Sequence, residues 1–471
     1  MSVRSLFPWG WVLPLAAGLA WVFVCGYDGL TGADSNDYRW VAGQWHDWFG
    51  GGPRPVMLEH PPGYPLAGAV LGWLTGNTHR AMRLLPLFGF LLAGWTIGQV
   101  LRSAAPDRAG IIPLFLLLTI GASPFLLRYA FVVLSDLPGM ALTLVVYLAL
   151  LRGMASGKPG WFLLAALTAA GSISVRYAVV PAIASALAYA LWQGRRTGWT
   201  RPFIAVVIGL AVVGMIAVSV PDMPWTTRTT GTPLQDWSLL NWFRTEHDSD
   251  DGHLRHRVPN IVYVLSALVH PGFLPCGVLL LPFVRREDLN GPLAGMAAAV
   301  LAGYLAFIAG MPFQNDRVLL LAQPFFAILI WPAFARAWTW ASVWRSKRAV
   351  VLGGLVVLQM ALFVRAMWPF IRQARQEREL ASEVRAAGAP QVYTHALAPA
   401  LRNRCPGIEV TDLWYGPVSH FRSDALIVVN EANLAEQWRD LHPWKNWNRA
   451  MAQGIVRLKE REDGWVIARV E

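Results

Sequence analysis

Charge is scarce in this chain. Asp, Glu, Lys and Arg supply 15% of its 471 residues, against 55% hydrophobic residues, and the mean hydropathy is +0.39. A soluble domain carries about a quarter charged residues, so the deficit excludes an ordinary soluble fold and points to a multi-pass membrane protein. Cysteine is scarce too. Cys25, Cys276 and Cys405 show no CxxC pair and no metal-ligand spacing, which argues against a disulfide framework and a zinc site. The chain also lacks a Gly-rich phosphate loop, an internal repeat and a low-complexity linker.

What is present is apolar length. Crossing a bilayer takes roughly 20 apolar residues, and candidate spans fall near 8–28, 84–101, 110–127, 137–152, 160–175, 178–193, 202–220, 259–284, 291–310, 317–341 and 349–369, about eleven in all. The first, "FPWGWVLPLAAGLAWVFVCG", lacks a clean basic leader and a convincing cleavage site, and reads as a retained helix. The 24 tryptophans suit interfacial aromatic belts. The net charge of +11 is tested first against the positive-inside rule, and no nucleic-acid partner is expected.

With the N-terminus inside, the cytoplasmic loops hold Arg102 and Arg108, Arg152 and Lys158, Arg195, Arg196 and Arg201, Arg285 and Arg286, and Arg345, Lys347 and Arg348. Every one is basic. The alternation requires that "HPPGYPLAGAVLGWLTG" (60–76) does not cross. Residues 1–369 then form a transmembrane domain with external loops at 32–83 and 221–258, in the inner (plasma) membrane. The tail, 370–471, lies outside and changes character. "APQVYTH", "GIEVTDLW" and "DALIVVN" read as strands, "ALAPALRNR" and "NLAEQWRDL" as helices, and "GIVRLKEREDGWVIARV" as a closing hairpin. The expected fold is therefore mainly α, with a small extracytoplasmic α/β domain that caps the membrane part or helps dock an acceptor.

Three arginines break the charge rule in short outer loops: Arg128 in "LLRYAFVVLSDLPG", Arg176 in "SISVRYAVVP" and Arg317 in "FQNDRVLLLAQP". A guanidinium at that depth needs an anionic partner. Asp136 and Asp316 are the chief candidates in the chain, and a phosphate at the membrane surface would also serve, since Arg matches its oxygens in a fork.

The first external loop crowds Asp34, Asp37, His46, Asp47, Glu59 and His60 against an apolar segment. If "ADSNDYRWVAGQWHDW" is an amphipathic helix on the membrane, Asp34 and Asp37 share a face. Two carboxylates so close raise the proton affinity of at least one, which suits a general base. Helix capping by "GADSND" is the simpler role and is compatible with it. Pro61 and Pro62 fix where His60 points, either at a phosphate or acceptor or merely at the interface. Asp136 tops a span and is expected to meet Arg128, eight residues earlier, as an ion pair or as a substrate contact.

These elements, in this order, resemble the GT-C superfamily of integral-membrane glycosyltransferases, in particular the polyprenyl-phosphate-sugar-dependent group that includes protein O-mannosyltransferases and lipid A aminoarabinose transferases. The resemblance covers roughly residues 8–369. The acidic motif appears as Asp34-Ser35-Asn36-Asp37-Tyr38, with Ser35 where the family usually has Glu and Asp37 as an addition. The His-Pro-Pro appears as His60-Pro61-Pro62, the Arg…Asp-x-Pro loop as Arg128…Asp136-Leu137-Pro138 with longer spacing, and the late Arg as Arg317, followed by Val318 where Tyr is common.

The resemblance implies a polyprenyl phosphate carrying one sugar, a glycan, lipid or protein acceptor, and inverting displacement. Asp34, with Asp37, is the expected catalytic carboxylate. Tyr38, Glu59, His60, Arg128, Asp136, Arg176 and Arg317 are the expected substrate contacts. No cofactor is expected, although Asp34, Asp37 and His60 offer oxygen and nitrogen ligands to a divalent ion. A transporter is the rival from another class, but it would tend to show repeats and midplane charges. A lipid-linked glycan ligase or polymerase would carry its key residues in a large later loop, for which 221–258 is the candidate.

Overall fold

The structure is a computed structural model and describes residues 9–55, 60–197, 237–249, 252–274, 277–340 and 345–471. Helices dominate. Among the described residues four are long and apolar enough to cross a membrane: Thr78–Ala104, Asp136–Ser156, Pro292–Ala309 and Lys347–Ala387. The pair Pro106–Gly121 and Pro124–Ala130, bent by 72°, makes a fifth when counted as one broken span. The bend follows a π turn at Leu117–Gly121 and coincides with Pro124, which has no N–H to continue the ladder. Gly10–Val24 and Pro159–Val175 are shorter apolar helices.

Several expected spans are broken rather than straight. The 259–284 stretch is a short helix, Asn260–Ser266, then turns through Pro271 and a four-residue helix, Gly277–Leu280. The 317–341 stretch splits into Asp316–Leu319 and Ala322–Trp340. The 202–220 stretch lies outside the described residues. Segment 60–76 forms a 13-residue helix, Gly63–Thr75. At 1.5 Å per residue it is about 20 Å long, too short to cross. It packs between the helices Gly32–Phe49 and Thr78–Ala104.

The last membrane helix, Arg345–Ala387, has 43 residues and a length of about 65 Å, twice what a bilayer core needs. The expected division at residue 370 falls inside it. Beyond it the chain forms β3 (Gln391–Thr394), β4 (Glu409–Asp412), β5 (Leu426–Asn430), β6 (Ile455–Glu460) and β7 (Trp465–Val470). A separate hairpin pairs β1 (Glu246–Ser249) with β2 (Gly252–Arg255) in the later loop.

The five-stranded sheet runs β4-β3-β5-β7-β6, with β3 parallel to β4 and β5, and β7 antiparallel to β5 and β6. Strand alternation divides its buried residues. Val392, Leu426, Val428 and Ile467 pack on Leu380, Ala381 and Val384 of the long helix. Tyr393, Ile427, Val429 and Ala468 pack on Leu434 and Trp447. Trp447 belongs to the helix His442–Gln453, which is not among the elements expected from the sequence pattern.

Candidate active site

The helix Gly32–Phe49 begins under tight local control. Gly32 enters it at φ +71°, and the Thr31 N–H donates to Ser35 Oγ at 2.7 Å. The long C-terminal helix completes the start. Glu377, only 5% exposed, accepts from Gly32 N at 2.7 Å and from Asn36 Nδ2 at 3.2 Å. Asn403 donates to the Asn36 carbonyl at 2.6 Å and accepts from Arg39 at 2.5 Å. The helix therefore presents Asp34, in its first turn, at a fixed angle.

From Asp34 a closed circuit of polar side chains can be followed. Asp34 Oδ2 accepts from Arg317 Nη1, and Arg317 Nε donates to Asp136 Oδ2 at 2.6 Å. Asp136 Oδ1 lies 2.9 Å from Arg176 Nη2. Arg176 Nη1 donates to Ser135 Oγ at 3.4 Å, and Ser135 Oγ lies 3.0 Å from the Tyr38 hydroxyl. The Tyr38 ring packs 4.6 Å from the His60 ring, and His60 Nε2 returns to Asp34 Oδ1 at 3.8 Å. Six of the expected residues thus meet at one place: Asp34, Tyr38, His60, Asp136, Arg176 and Arg317.

Local sequence explains how they are held. Asp136 opens the helix Asp136–Ser156, where the helix dipole favours a carboxylate. A Cβ on Gly89 would sit 2.6 Å from Pro138 N, and one on Gly139 would sit 3.1 Å from Arg176 Cβ. These two glycines let the Thr78–Ala104 helix and the Arg176 stem close around that turn. Arg317 follows Asn315, whose side chain caps its N–H at 3.0 Å.

Other expectations change. Arg128 does not pair with Asp136. Its Nη2 lies 2.6 Å from Asp316 Oδ2, its side chain is 7% exposed, and its guanidinium is packed over the rings of Phe125, Tyr129 and Phe370. Asp316, the residue before Arg317, also accepts from the Tyr129 hydroxyl at 2.7 Å. Asp37 is buried on the same helix, and of the two carboxylates Asp34 does not have the raised proton affinity. Burial pushes the Asp34 carboxyl up, yet the Arg317 charge and hydrogen bond, with His60 and Arg176, hold it well below the usual carboxylate range. Burial pushes the Tyr38 phenol up to about 12, so it acts as a hydrogen-bonding hydroxyl. Glu59 lies outside the described residues. Ser135 and Glu377 were missed. Ser135 is signalled only by standing next to Asp136, and Glu377 only as one charge in a charged helix.

The circuit balances two carboxylates against two guanidiniums. The Asp34 side chain is 36% exposed, whereas that of Asp136 is 2% exposed. An incoming oxyanion can therefore compete with Asp34 for Arg317 while Asp136 keeps the guanidinium in place. The site lies at one end of the helix bundle. Arg152, sixteen residues along the helix from Asp136, is about 24 Å away along its axis. Among the described residues no three His, Cys, Asp or Glu side chains gather closely enough to hold a metal ion.

Two comparisons bear on this arrangement. Residues 59–225 match the family model described as dolichyl-phosphate-mannose-protein mannosyltransferase. The whole fold resembles that of ArnT from Cupriavidus metallidurans. The apo crystal structure gives a TM-score of 0.61 at 17% identity, covering 98% of each chain. The structure bound to undecaprenyl phosphate gives 0.58 at 16% identity, covering 99% of each. Among curated proteins nothing matches significantly. The family match covers residues of the first outer segment and the helices after it, and the two structural matches share this chain's fold over nearly its full length.

Proposed function

We propose that this membrane protein transfers a sugar from a polyprenyl-phosphate carrier to an acceptor at the outer face of the membrane, with inversion at the anomeric carbon. The observation that carries the proposal is the bridge Asp34–Arg317–Asp136. It pairs a partly exposed carboxylate with a guanidinium that a phosphate can claim. The mannosyltransferase family match and the undecaprenyl phosphate in the similar ArnT structure support the donor class. The basic loops at the opposite end of the bundle suit a cytoplasmic face, which supports reading the circuit and the C-terminal sheet as external.

In this reading the lipid phosphate takes Arg317 from Asp34. The freed carboxylate accepts the proton of an acceptor hydroxyl. The acceptor oxygen bonds to the anomeric carbon, the bond from that carbon to the phosphate oxygen breaks, and polyprenyl phosphate leaves with the electron pair. Arg317, backed by Asp136, and Arg176 stabilise the charge gathering on the phosphate in a site with little water. His60 and Tyr38 close the floor beside Asp34.

The test is transfer of a radiolabelled sugar from undecaprenyl-phosphate-linked donors to membrane glycans, lipids and proteins in proteoliposomes. Transfer by wild type and its loss in Asp34→Asn are the expected results. Substrate movement across the bilayer without any new glycosidic bond would replace the transferase reading with a transporter.

A further inference from the structure

A cavity opens at Asp316, the residue that precedes Arg317 in the chain. It has a volume of about 400 Å³ and is lined by Phe125, Tyr263, Ser266, His270, Gln314 and Asp316, among others. That is near the low end of small-molecule sites. Tyr263, Ser266 and His270 are spaced i, i+3, i+7, and so share one face of the local turns. The neighbouring face, Val262, Leu265 and Val269, is apolar and half exposed. This one stretch of chain therefore separates an apolar exterior from a polar interior.

The chemistry of the wall is selective. Asp316 is fixed by Arg128 and Tyr129, and its side chain is still 30% exposed. Each carboxylate oxygen has a second lone pair with which to accept a hydroxyl. Tyr263 adds a phenol. His270 is exposed and stacks 5.4 Å from the Phe125 ring, offering a flat ring edge. Arg128, the nearby cation, is consumed by Asp316 and by the rings over it. The Arg128–Asp316 pair is neutral overall and leaves the cavity no guanidinium to offer a phosphate, which suits a neutral, hydroxyl-rich group. Asp316 and Arg317 are adjacent in the chain, with Cα atoms about 3.8 Å apart. A hydroxyl-rich group on Asp316 and an anion on Arg317 can thus belong to one molecule.

We infer that this cavity is the subsite for the glycosyl group of the donor, with Asp316, Tyr263 and His270 determining which sugar is accepted. The inference rests on the transferase reading and specifies where that reading's sugar sits.

The experiment measures binding to the full-length protein in nanodiscs. The probes are undecaprenyl phosphate and the same lipid carrying mannose, glucose, galactose or arabinose. Wild type should bind at least one sugar-bearing lipid more tightly than undecaprenyl phosphate. Tyr263→Phe and His270→Phe should each weaken that lipid about tenfold and leave undecaprenyl phosphate within twofold. Both substitutions keep the ring, so a folded protein is expected, and retained binding of undecaprenyl phosphate verifies it. Equal losses for both lipids, or none for either, would overturn the assignment. If wild type binds undecaprenyl phosphate but no sugar-bearing lipid more tightly, the subsite fails while the lipid-phosphate reading stands. If it binds none of the lipids, the transferase reading itself fails and the subsite with it.

Discussion

Arg317 and Asp136 stand 181 residues apart in the chain and meet with Nε 2.6 Å from Oδ2. Asp136 is buried and holds the guanidinium from behind, leaving its other edge to Asp34. Arg317→Ala should lower transfer by about 10²–10³, the size of losing one preorganised donor to a developing oxyanion. Arg317→Lys should recover part of this, because Lys lacks the fork that serves two acceptors at once. Initial rates at limiting donor decide it, and equal rates for wild type and Arg317→Ala would remove Arg317 from the mechanism.

Asp34→Asn keeps size and most hydrogen bonding but cannot accept a proton. Turnover should fall by about two to four orders of magnitude, while binding of undecaprenyl phosphate is retained. Loss of binding in step with turnover would make Asp34 a structural partner of Arg317 instead.

The pH dependence has a definite sign. In the free protein the Arg317 charge lowers the Asp34 pKa. Asp34 thus stays ionised as pH falls below the usual carboxylate range, and its favourable pairing is lost only at the lower folded-state pKa. When a phosphate draws Arg317 away, the Asp34 pKa rises. The acid limb of kcat, which reports the complex, should therefore lie at higher pH than that of kcat/KM, which reports the free enzyme. Full pH–rate profiles test this, and the reverse order would exclude the exchange of Arg317 between carboxylate and phosphate.

Glu377 never touches the circuit, yet it holds the start of the Asp34 helix. Glu377→Ala leaves the Gly32 N–H without its acceptor and should cost about 1–3 kcal/mol of stability. Because it acts on position, kcat should fall roughly tenfold while the donor Kd stays unchanged. Rescue of kcat by Glu377→Gln, which keeps one acceptor oxygen, separates positioning from general destabilisation.

Orientation is tested by cysteine labelling in a variant with Cys25, Cys276 and Cys405 replaced. Thiols at Gly52→Cys and His420→Cys should react with an impermeant reagent in intact cells, and one at Arg108→Cys should not. The opposite pattern would invert the protein in the membrane.

The titratable residues of the circuit, though not Ser135, are legible in the sequence because a charge beside an apolar segment is costly. Asp34, His60, Asp136, Arg176 and Arg317 stand out on that ground alone. The strands of the C-terminal sheet were legible for a related reason. A strand buried on both faces, such as "LIVV" in β5, reads as a continuous apolar run between turn residues.

Pairing was another matter. Arg128 was matched to Asp136 because only eight residues separate them, whereas its partner, Asp316, is 188 residues away. The Asp34–Asp37 spacing suggested mutual repulsion, but Arg317, 283 residues distant, sets the sign of the Asp34 shift. Apolar length likewise marked 259–284 without showing that the helix breaks at the turns leading to Pro271. Composition determined that this chain enters a membrane and which charges cannot be left in lipid. Only the tertiary structure decided which of those charges neutralise each other, because Coulomb energy depends on distance in space and chain separation carries no record of it.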